Sequence, residues 1–173
     1  MNRTTILLVL LSYCFNSVAQ LPQVKITSDI KKISGDFLVD YKNIKGALLS
    51  DDPYETVYYS RLKLAGSIDS SNLLHFSKES QFWKFSAEID KEKMTIEELQ
   101  SAILSINYSF GKIKRIESGA EWVSVYVPEN KKGLTGKIRS FFIFILNAAK
   151  NPNDPTGGKL SFTLGQEDYY MNK

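Results

Sequence analysis

Polar and apolar residues alternate most cleanly over 83–89 (WKFSAEI). Trp83, Phe85, Ala87 and Ile89 fall on one side; Lys84, Ser86 and Glu88 fall on the other. A period of two predicts an antiparallel strand with one buried and one half-exposed face. The same period recurs in 54–64, where Leu62 and Leu64 alternate with Arg61 and Lys63. It recurs again in 121–127 and 159–164. Within 121–127, Val123, Val125 and Val127 alternate with Trp122, Ser124 and Tyr126. Leu73 to Phe76 forms a short strand or a connector. Ile138 to Leu146 is continuously apolar in its second half, and its spacing fits a helix as well as a strand. Its aromatic and β-branched content favours a strand. The choice between strand and helix stays open over 138–149.

The helical period appears once with strength. Thr95-Ile96-Glu97-Glu98 reads as a capping box, with Glu98 three residues after the cap. Ile96, Leu99, Ile103, Ile106, Phe110 and Ile113 then recur every three or four residues and predict one long amphipathic helix. Lys112, Lys114 and Arg115 fall where its C-terminal dipole would favour cations. Upstream, Pro22 suggests an extended lead-in over 20–27. Ser28-Asp29 can cap a short helix over 30–37. Asp51-Asp52-Pro53 and residues 151–158 carry turn chemistry.

These elements predict an α+β fold of order β-β-α-β-β-β. The expected architecture is an antiparallel sheet of about five strands with the long helix across one face, after a short N-terminal helix. The run Phe141–Leu146 would show apolar residues to both faces. It is therefore expected at a central position, with its second face also covered.

The N-terminus changes the picture of where this domain works. Arg3, an apolar stretch over 6–15 and Ser17-Val18-Ala19 have the three-part form of a secretory signal, with cleavage before Gln20. Residues 1–19 are then a signal peptide and 20–173 a single α+β domain, in the periplasm or outside the cell. A lipid anchor at Cys14 would need a small residue where Tyr13 stands. No later run approaches the ~18 apolar residues of a spanning helix.

Composition then excludes chemistry. The chain has 173 residues, one Cys and one His. A disulfide framework and a Cys/His zinc site are out of reach, and removal of 1–19 takes Cys14 away as well. The net charge of +3, or +2 without Arg3, gives no electrostatic case for nucleic acid. Asp51 and Asp52 have a turn role and Glu97 and Glu98 a capping role. Glu88, Asp90 and Glu92 lack the spacing of a calcium loop. Asn107-Tyr108-Ser109 matches a glycosylation sequon but falls inside the expected helix. No catalytic, cofactor or metal residue is assigned.

Two sets of side chains remain. His75 could serve as a general base beside a serine and a carboxylate, although Ser77 and Ser80 lie in no nucleophile motif. Tyr59, Trp122 and Tyr126 lie opposite the aliphatic sets of their strands, and such residues are favoured at contact surfaces. The expectation is a non-catalytic binding or interaction module using an aromatic sheet face or loops. A carrier of a small apolar ligand between helix and sheet is the alternative, and a hydrolase using His75 a third.

Overall fold

The computed structural model describes residues 23–116, 123–129, 141–147 and 159–166. The proposed signal segment, Trp122 and residues 130–140 and 148–158 lie outside the described residues.

A helix over 23–37 (α1) comes first, followed by strands Lys45–Asp51 (β1), Glu55–Ser60 (β2), Leu73–Ser77 (β3) and Phe82–Ile89 (β4). A second helix, Ile96–Ser105 (α2), leads to Ile113–Ile116 (β5), Val123–Pro128 (β6), Phe141–Asn147 (β7) and Leu160–Gln166 (β8). All eight strands form one sheet of order β1-β2-β3-β4-β8-β7-β6-β5. Every neighbouring pair is antiparallel. The plan of one helix followed by a four-strand meander therefore occurs twice. The last strands of the two units, β4 and β8, meet antiparallel at the centre, as a two-fold axis normal to the sheet would place them. Nothing in the sequence repeats to announce this.

The expectation of about five strands with one long helix is thus overturned, and each difference has a physical origin. β1 (KGALLSD) was missed because it buries no alternate face: five of its seven residues are exposed, so no period of two is written into it. It is held by pairing with β2 instead. β5 was absorbed into the helical stripe. The helix in fact ends at Ser105, and Ile106 has extended dihedrals. Tyr108 and Gly111 then bridge across a tight turn, in which Gly111 has φ +101°, a left-handed conformation suited to glycine. Ile106 and Ile113 still enter the common core, by a turn and a strand rather than along one helix. Lys114 and Arg115 consequently lie on strand β5 and not at a helix C-terminus.

The N-terminal helix is already present at residue 23, the first described residue, so 23–29 are helical where an extended lead-in over 20–27 and a cap at Ser28-Asp29 were expected. The strand expected over 54–64 stops at Ser60, so the alternation of Leu62 and Leu64 with Arg61 and Lys63 lies beyond it. Two local signals fall in the expected places. Thr95 and Glu98 form the reciprocal capping box. The Asp52 side chain accepts from the backbone of Tyr54 and Glu55, at 2.8 Å each, between β1 and β2. The 138–149 ambiguity resolves as strand over Phe141–Asn147, inside the sheet between β6 and β8.

Both helices pack on one sheet face. Ile26, Ile30, Ile33 and Phe37 of α1 and Leu99, Ala102 and Ile103 of α2 join Phe85, Ala87, Ile89, Ile143, Ile145, Phe162 and Leu164 in one buried cluster. Phe37 meets Phe141 edge-on, and the Tyr41 hydroxyl donates to the Leu164 carbonyl at 3.0 Å. The loop between α1 and β1 is held by Asp36, whose buried carboxylate accepts from the backbone N–H groups of Asn43 and Ile44.

Candidate functional site

Register decides what stands on the opposite, outer face. His75 of β3 pairs with Val57 of β2 and with Lys84 of β4, while Phe85 and Leu74 point into the helix layer. Alternation then sends Glu55, Val57 and Tyr59 of β2, Leu73, His75 and Ser77 of β3, and Lys84, Ser86 and Glu88 of β4 outward together. Three neighbouring strands thus set Glu55, His75, Lys84 and Ser86 side by side.

These four side chains form a network. His75 Nε2 lies 2.9 Å from Ser86 Oγ, and His75 Nδ1 lies 3.2 Å from Glu55 Oε2. The other Glu55 oxygen is 3.4 Å from Lys84 Nζ. The Nδ1 contact is close but off-line: it does not meet the geometry of a straight hydrogen bond. The imidazole is largely withdrawn from water, with a side-chain exposure of 17%. Burial holds its pKa below the ordinary value and Lys84 adds to this, while Glu55 pulls the other way. His75 is therefore neutral at pH 7. A carboxylate beside Nδ1 favours the tautomer with the proton on that nitrogen, leaving Nε2 to accept from Ser86.

Serine, histidine and glutamate in this order resemble a nucleophilic relay. The surrounding backbone sets the limit. Ser86 lies mid-strand in β4, between β3 and β8, where the N–H groups are spent on the sheet ladders. Hydrolysis through a tetrahedral intermediate needs donors aimed at the developing oxyanion. The N–H groups of β4 on either side of Ser86 are therefore not available to such an oxyanion. The relay orients the serine without supplying that stabilisation.

A narrow cleft runs along the same network, lined by Glu55, His75, Ser77 and Lys84 with Phe82 and Phe142 as apolar walls. A second, more open concavity continues from it past Asp52, Tyr54 and Glu79, and shares Glu55, Ser77 and Lys84. Gly165 faces Lys84 across the β4–β8 pair. A Cβ there would come within 3.1 Å of the Trp83 carbonyl oxygen, so a side chain at this position would push the two strands beside the cleft apart by a few tenths of an ångström. Ser86 does not line either depression.

The three aromatic residues picked out by pattern do not share one described surface. Tyr59 lies on the outer face and is 42% exposed. Tyr126 points into the helix layer beside Ser124 and is fully buried, because Val125 and Val127 take the outer face instead. Burial raises its pKa, with Arg115 and Ser124 pulling it back. Trp122 lies outside the described residues. Pattern reasoning missed Glu55 and Lys84 as companions of His75, since their association depends on strand register rather than on sequence spacing. Lys84 and Ser86 were nonetheless visible as the polar side of the best alternating strand.

Among the described residues no three His, Cys, Asp or Glu side chains converge as a metal site, and no helix is long and apolar enough to cross a membrane. No protein-family model matches the chain, and comparison with curated proteins and with solved structures returns no match.

Proposed function

We propose that the chain is exported and serves as a non-catalytic binding module, with its contact surface on the outer sheet face around Glu55, His75 and Lys84. The observation that carries this reading is the convergence of two depressions on the same residues, Glu55, Ser77 and Lys84. Polar groups with apolar walls in a concave site are the usual makings of recognition. The helix-covered face, by contrast, is filled by fully buried side chains, which weighs against a carrier that encloses its ligand there.

The test is affinity capture from an extract of the cell envelope or medium. Material retained by the wild-type domain should be lost with His75→Ala combined with Lys84→Glu, in a protein that still unfolds cooperatively. Equal capture by both proteins overturns the proposal. Export is tested separately by mass spectrometry of the purified protein. Its first residue should be Gln20, and an intact Met1 would contradict the signal-peptide reading.

A hydrolase is the second reading, favoured by the 2.9 Å and 3.2 Å contacts of His75. Stoichiometric labelling of Ser86 by a fluorophosphonate, abolished by His75→Ala, would establish it in place of the first. Because the β4 N–H groups flanking Ser86 are spent on the ladders to β3 and β8, no labelling above that of a denatured control is expected.

A further inference from the structure

The chain has one histidine, and it stands where a single added proton changes several contacts at once. His75 Nε2 meets Ser86 Oγ at 2.9 Å, and Nδ1 faces Glu55 Oε2 at 3.2 Å. Glu55 is shared, because its other oxygen lies 3.4 Å from Lys84 Nζ. With the Nδ1 proton facing Glu55, the Ser86 hydroxyl donates to Nε2, which is then the one ring atom able to take a further proton. An imidazolium has two N–H donors and no acceptor, so the Ser86 hydroxyl must rotate and accept instead. The new charge arises beside Glu55 and directly across the β3–β4 pair from Lys84, where like charges oppose one another. Among the described residues, the charges that face the ring are Glu55 from β2 and Lys84 from β4, with Glu88 further along β4 and paired with Lys159. β3 itself adds none, and β8 places Gly165 opposite Lys84. At the rim stand Asp52, Glu79 and the Asp51–Lys78 pair.

We infer that His75 is a proton-operated switch of the outer face around Glu55 and Lys84. A proton taken from solvent at Nε2 reverses the Ser86 hydrogen bond, draws Glu55 onto the imidazolium and loosens its hold on Lys84. The exchange runs in this direction because the two cations differ in freedom. The imidazolium is fixed on its strand with a side-chain exposure of 17%, so it depends on the adjacent carboxylate. The Lys84 ammonium ends a flexible stem and lines an open concavity into which it can turn. Cleft and concavity share Glu55 and Lys84, so one proton alters both. The surface gains one positive charge on acidification, which favours an anionic partner and disfavours a cationic one. That consequence rests on the contact surface proposed above, whereas the exchange of Glu55 between its two cations does not. Burial and Lys84 place the threshold below the ordinary histidine value, so the Glu55–Lys84 pair is the neutral-pH state.

NMR titration of the purified, isotope-labelled protein tests the switch with no partner present, so its outcome is separate from that of affinity capture. From about pH 7.5 down to about pH 5, the His75 ring nitrogens should report the Nδ1–H tautomer first and the imidazolium last. The Lys84 Nζ and Glu55 Cδ signals should move with the same midpoint as the ring, and His75→Gln should abolish that step. Glu55→Gln should lower the ring midpoint and Lys84→Met should raise it, because the carboxylate favours the charged ring and the ammonium opposes it. These two variants carry the test if His75→Gln fails to fold. An Nε2–H tautomer at neutral pH, or Lys84 and Glu55 signals that ignore the titration of the ring, overturns the inference. So does the same step in His75→Gln, which would assign it to a carboxylate.

Discussion

The two faces of the sheet are made from alternate residues of the same strands, yet they follow different rules. On β4, Phe85, Ala87 and Ile89 enter the helix layer and are buried. Lys84, Ser86 and Glu88, one residue along, stand half-exposed on the other face. The inner face is apolar and close-packed against two helices. The outer face over β2 to β4 carries an ion pair, a neutral histidine and a cleft. One pattern of alternation thereby separates what holds the fold from what can meet a partner. Outer residues are free to vary in chemistry because the ladder beneath them is fixed by the inner set.

The contrast is broken most severely by removing an inner ring. Phe162→Ala deletes a fully buried side chain at the centre of the sheet and should cost about 3–5 kcal/mol in denaturant unfolding. Ser86→Ala, on the outer face of neighbouring β4, removes one hydrogen bond to His75 and should cost about 1 kcal/mol. Equal costs would show that the outer network is as structural as the core. Next in size, Thr95→Ala removes half of the capping box that starts α2 and should cost about 1 kcal/mol by the same measurement.

The smallest effect is the pH dependence due to His75. Its folded-state pKa lies below the ordinary value, so the unfolded chain binds the proton more readily. This contribution is fully present above the ordinary histidine pKa and is lost as pH falls from there towards the folded value. Melting curves from pH 7.5 downward should show that decline, and His75→Gln should flatten its histidine part. A decline of the same slope in His75→Gln would mean that the imidazole is not desolvated in the fold.

Much of the inner layer was legible in the chain. Alternation at 83–89 and 159–164 and the capping box at Thr95 mark elements whose burial is written into consecutive residues. β1 left no such mark, since an exposed edge strand buries neither set of its side chains. β5 was hidden because Phe110 and Ile113 continue a helical spacing by chance, and only the turn at Gly111 redirects the chain. The site was half legible. His75 was identifiable as the single histidine, but its partners come from strands β2 and β4. Their positions follow from a register that local sequence does not encode. Tyr126 shows the reverse failure: a correct strand was assigned the wrong inward face, because valines and an aromatic can each satisfy a buried side.

Photo-crosslinking distinguishes the two faces most directly. A benzoylphenylalanine is placed at exposed Glu79, on the rim of the outer concavity, or at exposed Leu104 on α2, and producing cells are irradiated. The account predicts an adduct from position 79, of a mass other than two copies of the chain, and none from position 104. Adducts from position 104 with none from position 79 would contradict it.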